Sequence, residues 1–310
     1  MDEKERHRRL AIEYSHPDFL VRRWMERWGA ERTVELLKAN NRPKPMQLLA
    51  FRHRGGRELL AEALIDAGLG VEPSSMSPLG LTVRYGNALK TEAFAAGQFY
   101  IQDEISQVAA LLRRPRPGER ILDAAAAPGG KGFALYACEP EIRLMLADVS
   151  PPRLDLLRAN LRRLGLDLPL LLADAGQPPF HAAFDRVVLD LPCTGTGTLR
   201  KNPEIKWRLS PGEVGRLAET GARLLRGSAA QVAPGGLLMA VTCSLEAEEN
   251  EEVVEHFLAD HPNFEPLPLE ESVPQSLLSC IEAPGRWRAF PGDDHDGFTV
   301  HVLRRGGVES

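Results

Sequence analysis

From Glu119 onward, near-continuous apolar runs alternate with helical stretches, and few architectures accommodate that alternation. The runs are "RILDAAA", "IRLMLADV", "LPLLLAD", "FDRVVLDLP" and "GLLMAVTCS"; helical stretches such as "PPRLDLLRANLRRLG" and "EVGRLAETGARLLRGSAAQV" fall between them. Strands buried on both faces read as unbroken apolar segments, and parallel strands need long crossovers, usually helical. The pattern predicts an α/β fold, a doubly wound, Rossmann-like sheet with helices on both faces. "GFTVHVLRR", near the C-terminus, reads as a closing edge strand.

The first hundred residues have a different grain. "HPDFLVRRWMERWG" and "AERTVELLKANN" have helical spacing, with Asn40, Asn41 and Pro43 stopping the second helix. "PMQLLAF" and "LTVRYG" read as strands on either side of a helix "GRELLAEALIDAG". This predicts a small α+β part, residues 1–97, ahead of a larger α/β part, residues 98–310. The boundary falls near "EAFAAGQFY".

Composition excludes several classes. Hydrophobic residues make up 43% and charged residues 26%, ordinary values for a soluble globular protein. The most apolar run is too short and interrupted to cross a bilayer, so no membrane partner is expected. The charged beginning "MDEKERHRRL" lacks the apolar segment of a secretory signal. Four cysteines without CxxC spacing fit reduced thiols in the cytoplasm, and no metal is expected. Net charge is −5, yet residues 1–60 hold 14 Lys and Arg against 9 Asp and Glu. A basic beginning on an acidic body points to a polyanion partner at one end, or else to ordinary solvated helix faces.

Ligands of doubly wound sheets sit at the carboxyl ends of the strands. Four successive strand ends here carry Asp123, Asp148, Asp174 and Asp190. Between the first two lies "AAAAPGGKG", whose small residues allow close approach of backbone to a ligand. A P-loop needs glycine at 125 and Ser or Thr at 132, where this chain has Ala125 and Gly132. The loop therefore suits a carboxylate or close packing, not a pyrophosphate. S-adenosylmethionine, with its ammonium, ribose diol, adenine amino group and sulfonium, offers donors that match the acids.

Cys193 and Cys243 each end a strand. Either alone is open to a second reading, as a small buried hydrophobe, and that reading suits Cys138 and Cys280. Together, beside a methyl donor and a carboxylate, two thiols suit attack on an electron-poor ring. Carbon 5 of cytosine is not nucleophilic. A thiolate adding to carbon 6 makes it so, which divides one hard step into easier ones.

"DAAAAPGGK", "LDLPCTGTGTLRKNPEIKW" and "TCSLEAEEN" resemble the motifs of the Sun/RsmB family of RNA (cytosine-5)-methyltransferases. "YSHPDFLVRRW", "ANNRP" and "GQFYIQDEISQ" are similar to the stretches preceding them in bacterial ribosomal-RNA members. The resemblance covers most of residues 10–305. It implies a class I methyltransferase fold with a small N-terminal RNA-binding subdomain like an RNA-recognition motif. It implies Cys243 as nucleophile, Cys193 as the thiol that helps release product, and Asp190 against the cytosine edge near nitrogen 3. The cofactor loop maps to Ala125, Ala126, Ala127, Pro128, Gly129, Gly130 and Lys131, with Asp148, Asp174 and Asp190 completing the S-adenosylmethionine site. The family often has cysteine at 125 and threonine at 132. The helical domain that full-length members carry before the "YSHP" segment is not found in this sequence, so the chain is expected to be either a short form or part of a longer protein.

The expected substrate is RNA, ribosomal RNA ahead of transfer RNA; the sequence leaves oligomeric state open. A methyltransferase on a non-RNA substrate and a non-catalytic RNA-binding or ribosome-assembly factor are the alternatives. The basic beginning and second thiol oppose the first, and Cys243 with Asp190 opposes the second. Arg22, Arg23, Arg27, Arg52, Arg54, Arg200 and Lys201 are the expected phosphate contacts. Cys243 lies beside a glutamate-rich stretch that disfavours a thiolate. A helix N-terminus after Ser244 and the cofactor's positive charge are the expected compensation.

Overall fold

The structure, a computed structural model, describes residues 3–180 and 184–307. Helices α1 (Glu3–Glu13) and α2 (Asp18–Asn40) lead into strand β1 (Met46–Ala50) and helix α3 (Gly56–Asp66). Strands β2 (Gly70–Pro73) and β3 (Gly80–Tyr85), the short helix α4 (Glu92–Ala95) and strand β4 (Phe99–Ile101) follow. The strands form an antiparallel sheet ordered β2-β3-β1-β4. β2 and β4, four and three residues long, are too short to show a period, and the sequence pattern missed both. The two helices expected before β1 are both present within α2, parted at Gly29, whose φ of 77° and ψ of 170° are not helical.

Alternation along β1 sets how this sheet is used. Leu48 and Ala50 pack with Leu60 and Leu64 of α3. Leu49, on the other face, joins a cluster with Ile105 and Val108 of helix α5 (Glu104–Leu111). Both faces of β1 are therefore buried. The face that a free module of this shape would offer to nucleic-acid bases is covered by the larger part of the chain.

That larger part alternates as expected: β5 (Arg120–Asp123), α6 (Gly130–Cys138), β6 (Arg143–Asp148), α7 (Pro151–Leu164), β7 (Leu170–Leu172) and β8 (Phe184–Asp190). Then come α8 (Ile205–Arg208), α9 (Pro211–Ala229), β9 (Val232–Thr242), α10 (Glu251–Asp260) and β10 (Phe264–Pro266). The chain ends with β11 (Ile281–Ala283), β12 (Arg286–Ala289) and β13 (Phe298–Arg305). The sheet order is β11-β12-β13-β9-β8-β5-β6-β7, with β10 also paired to β13. Strands β9, β8, β5, β6 and β7 run parallel. Along β9, Leu238 and Ala240 face one core cluster while Met239 and Val241 face the other. The fold is the doubly wound sheet that the alternation implied.

β13 is not an edge strand. It lies between β9 on one side and β12 and β10 on the other. Its first six residues are buried, because the short late strands that pair along its outer side cover it. Among the described residues, no helix is long and apolar enough to cross a membrane.

Long-range ion pairs fasten α2 to the segment after β9. Arg23 reaches Glu246 at 2.9 Å and Glu248 at 2.5 Å, and Trp24 Nε1 donates to Glu246 at 3.1 Å. Arg27 donates to the Leu245 carbonyl at 2.7 Å and pairs with Glu251, which also receives Arg288 at 2.7 Å. The acidic run expected on a solvated face is thus largely interior, with Glu246, Glu249 and Glu251 all buried. Removing Glu251 takes a shared buried partner from Arg27, Arg286 and Arg288. Glu251→Ala is expected to lower the urea-unfolding free energy by about 3 kcal/mol, and Glu251→Gln by less; a change below about 0.5 kcal/mol would show that Glu251 is not a fastening point.

Candidate active site at the strand ends

Strand order reverses beside β5: β6 and β7 extend to one side and β8 and β9 to the other. A ligand crevice forms at such a switch point, beyond the carboxyl ends. Asp123 ends β5, Asp148 ends β6 and Asp190 ends β8, while Asp174 lies two residues past β7. Cys193 follows three residues after β8, and Cys243 comes directly after β9. Because β8 and β9 are neighbours, the two thiols meet with their Sγ atoms 3.6 Å apart. The Lys131 ammonium donates to Asp190 at 2.8 Å and stands 4.8 Å from the Phe298 ring centroid.

The loops bearing the thiols are laced together. Thr194 donates its backbone N–H to Glu249 at 2.8 Å and its hydroxyl at 2.7 Å. Thr196 Oγ1 accepts the Leu245 N–H at 2.9 Å and contacts Ser244 Oγ at 3.2 Å. Asn250 donates to the carbonyls of Ser244 and Glu246. Gly197 donates to the Cys243 carbonyl at 2.9 Å, and a Cβ there would come within 2.4 Å of the Gly297 oxygen. Only glycine allows the three segments to close so tightly. None of Thr194, Thr196, Ser244 or Glu249 stood out in the sequence; the repeated Thr-Gly of "TGTGT" was the available signal.

Electrostatics separates the thiols. Cys243 is held below the ordinary thiol range, first by a hydrogen bond from Cys193 and then by the Lys131 ammonium; these outweigh burial and the Asp190 charge. Cys193 is pushed well above that range by the same hydrogen bond, by burial and by the Cys243 charge. These opposite shifts favour Cys243 as the sulfur that ionises, with Cys193 keeping its proton. The compensation expected from a helix N-terminus after Ser244 does not exist: residues 244–250 form turns, and α10 begins only at Glu251. Burial works against the Lys131 charge, but Asp190 more than offsets it and keeps the amine protonated. Asp123 is pushed up to about 7 by burial and by Asp190. Glu249 also rises to about 7, chiefly through burial.

The loop Ala125–Lys131 runs from β5 into α6. Its carbonyls are anchored, with Asn160 bonded to Pro128 at 2.9 Å and Gln102 to Gly130 at 2.9 Å. Asp148 accepts the Ala127 N–H at 3.2 Å and the Ser150 N–H at 3.0 Å, so it shapes the loop as well as bordering it. Gly132 is closely packed: a Cβ there would come within 2.5 Å of the tip of Leu146 and 3.2 Å of an Asp123 oxygen, so both side chains would have to shift. The loop therefore has no room for a P-loop hydroxyl side chain without rearrangement. Asp174 stands apart, accepting the Gly176 N–H at 2.8 Å and pairing with Arg223 of α9 at 3.0 Å. The structure thus gathers Lys131, Asp190, Cys193 and Cys243 into one cluster, lines the neighbouring loop with Asp123 and Asp148, and leaves Asp174 on the rim.

Four of the arginines expected on phosphate are committed elsewhere. Arg23 and Arg27 fasten α2, and Arg54 donates to the Ala96 and Leu164 carbonyls. Arg200 is 2% exposed and bonds Asp296 and the carbonyls of Gly292, Asp293 and His295. Arg22, Arg52 and Lys201 stay exposed. A cavity of about 1030 Å³ opens at the opposite, amino ends of β5 and β8, lined by Arg113, Arg116, Glu119 and Leu237. It holds none of the strand-end thiols or their carboxylates.

Residues 110–304 match the family model described as 16S rRNA methyltransferase RsmB/F, and residues 16–89 match the ferredoxin-like domain of the same proteins. The probable ribosomal RNA small subunit methyltransferase B of Bacillus subtilis is 31% identical over 97% of this chain and 68% of its own length. The ribosomal RNA small subunit methyltransferase B of Klebsiella pneumoniae is 34% identical over 81% of this chain, covering 59% of its own length. Among solved structures, that of PH0851 superposes with a TM-score of 0.88 at 30% identity, over 98% of this chain and 69% of that one. This chain spans about 59–68% of the length of such curated relatives. With its Rossmann-like sheet, its ferredoxin-like N-terminal part and these matches, the chain belongs to the RsmB/F family of 16S rRNA methyltransferases.

Proposed function

We propose that this chain methylates carbon 5 of an unpaired cytosine in RNA, ribosomal RNA foremost, through a covalent bond between Cys243 and carbon 6. The observation that carries this reading is the thiol pair, 3.6 Å apart at two neighbouring strand ends, with Lys131 on Asp190 beside it. The methyl donor is S-adenosylmethionine, and the donor set fits it. Carboxylates at the ends of β5, β6 and β8, with Asp174 past β7, repel a diphosphate and accept from an ammonium and a ribose diol. The loop 125–131 with Asp148 and Asp174 would hold it, and when bound it supplies an electrophilic sulfonium methyl.

The residues then divide the work. The Cys243 thiolate adds to carbon 6, and the displaced electron pair moves into the ring toward nitrogen 3 and oxygen 2. The Lys131 ammonium, held by Asp190, steadies that charge and can supply a proton at nitrogen 3. Carbon 5 is now enamine-like and nucleophilic. Once the sulfur of Cys243 is bonded to carbon, its negative charge is gone, and with it two of the causes that hold the Cys193 proton in place. Cys193 then becomes the acidic thiol. Having given its own proton to solvent, Cys193 as a thiolate takes the proton from the methylated carbon 5. That C–H electron pair re-forms the 5,6 double bond as the carbon 6–sulfur bond breaks, the Cys243 thiolate is restored, and the proton lent at nitrogen 3 returns to Lys131. Burial and the neighbouring Glu249 keep Cys193 from ionising early. A base inside a duplex cannot reach the thiol, so the target is single-stranded or flipped out.

With S-adenosylmethionine and small-subunit ribosomal RNA, Cys243→Ala is expected to lose turnover and to form no protein–RNA adduct. Cys193→Ala is expected to attack, accept the methyl and stall, leaving a slow band on a denaturing gel. Adducts in Cys243→Ala alone would exchange the two roles, and full activity of both variants would dismiss covalent catalysis. Asp148→Ala is expected to weaken S-adenosylmethionine binding in calorimetry by about 1–3 kcal/mol, the scale of an unpaired buried partner. Unchanged affinity would remove Asp148 from the site.

A further inference from the structure

We propose that Trp207 is a stacking platform for an RNA base adjoining the target cytosine, an inference that rests on the RNA reading above. Trp207 is 71% exposed, whereas Trp24 and Trp287 are fully buried and Trp28 is half-buried edge-on against Phe290. An indole left in water forgoes the burial that large aromatic side chains ordinarily gain on folding. Its position accounts for that exposure. Trp207 sits on α8, in the connection that starts with Cys193 and runs from β8 to α9. The residues before it are pinned: Ile205 packs with the cluster around Trp24, and Lys206 is buried and donates to Asn41 at 2.6 Å.

The same helix borders the nucleophile. A Cβ placed on Gly195 would lie 3.1 Å from Ile205 Cδ1 and 3.8 Å from Cys243 Sγ, so both atoms crowd one spot. Trp207, two residues on, is therefore presented on a fixed backbone at the margin of the thiol site. Lys201 and Arg208 are exposed around it, against a single nearby exposed acid in the same stretch, Glu204. A flat aromatic face with flanking cations is the combination that holds single-stranded nucleic acid, the ring stacking on a base while the cations follow the backbone. An unpaired cytosine pulled to Cys243 leaves its neighbours unstacked, and the indole supplies the lost surface. Stacking is tolerant of base identity, so this contact sets affinity and register and leaves sequence choice to other groups.

The test uses intrinsic fluorescence, since Trp207 is the most exposed of the four tryptophans. A short single-stranded RNA containing cytosine is expected to quench the wild-type emission on binding, and Trp207→Phe is expected to lose that quenching while retaining most of the affinity. Trp207→Ala is expected to bind about tenfold more weakly, within the range of base–aromatic stacking, and to raise KM with little change in kcat. That loss should be the same at low and high salt, because stacking releases no counterions. Wild-type affinity in Trp207→Ala, or unquenched emission from wild-type protein that binds RNA by filter retention, would overturn the role of Trp207 and leave the RNA reading standing. Absence of RNA binding by the wild-type protein would overturn both.

Discussion

The hydrogen bond between Cys193 and Cys243, 3.6 Å between sulfurs, is the contact on which the proposed chemistry depends. A thiolate in a half-buried cleft bordered by Asp190 and Asp123 is unfavourable unless donors and cations outweigh them. The second thiol and Lys131 do so, and Lys131 is itself kept charged by Asp190. The arrangement is self-limiting. The bond that holds Cys243 below the ordinary thiol range also holds Cys193 above it, and in the proposed mechanism forming the carbon–sulfur bond would release the Cys193 proton. Two cysteines with opposite shifts can therefore act in sequence without any movement of the backbone.

Holding those sulfurs together requires two loops from different strands to stay in register, and the N-terminal helices contribute to this. Arg23, Trp24 and Arg27 of α2 grip Glu246, Leu245 and Glu251, within eight residues of Cys243. The N-terminal part is thus a brace for the loop that carries Cys243. Its sheet is buried on both faces at β1, which leaves helix surfaces, strand edges and the α8 region to meet nucleic acid.

Much of this was legible in the amino acids. Unbroken apolar runs such as "FDRVVLDLP" mark strands covered on both faces, and the residues just after them fall at the ligand end of the sheet. That logic located Asp148, Asp190, Cys193 and Cys243. What it could not reach were partnerships between distant segments. The excess of basic residues near the beginning and of acidic residues around 246–255 looked like a surface asymmetry, yet more than 200 residues apart in sequence they are ion pairs with each other. Asp174 is tied to Arg223, a pairing no local pattern announces. β13 read as an edge because the short strands that flank it carry almost no periodic signal. The family resemblance placed Lys131 in the cofactor loop, while its side chain pairs with Asp190 and its charge acts on Cys243.

The division of labour between the sulfurs can be measured on the protein alone. Rates of iodoacetamide alkylation at Cys138, Cys193, Cys243 and Cys280, resolved by mass spectrometry across a pH series, report which thiol ionises first. The expected result is that Cys243 reacts fastest, keeps its reactivity below the ordinary thiol range, and titrates upward in Lys131→Met, while Cys193 stays unreactive until more alkaline pH. A Cys193 that ionises before Cys243, or a Cys243 that titrates at or above the ordinary thiol range, would contradict the assignment of Cys243 as the nucleophile.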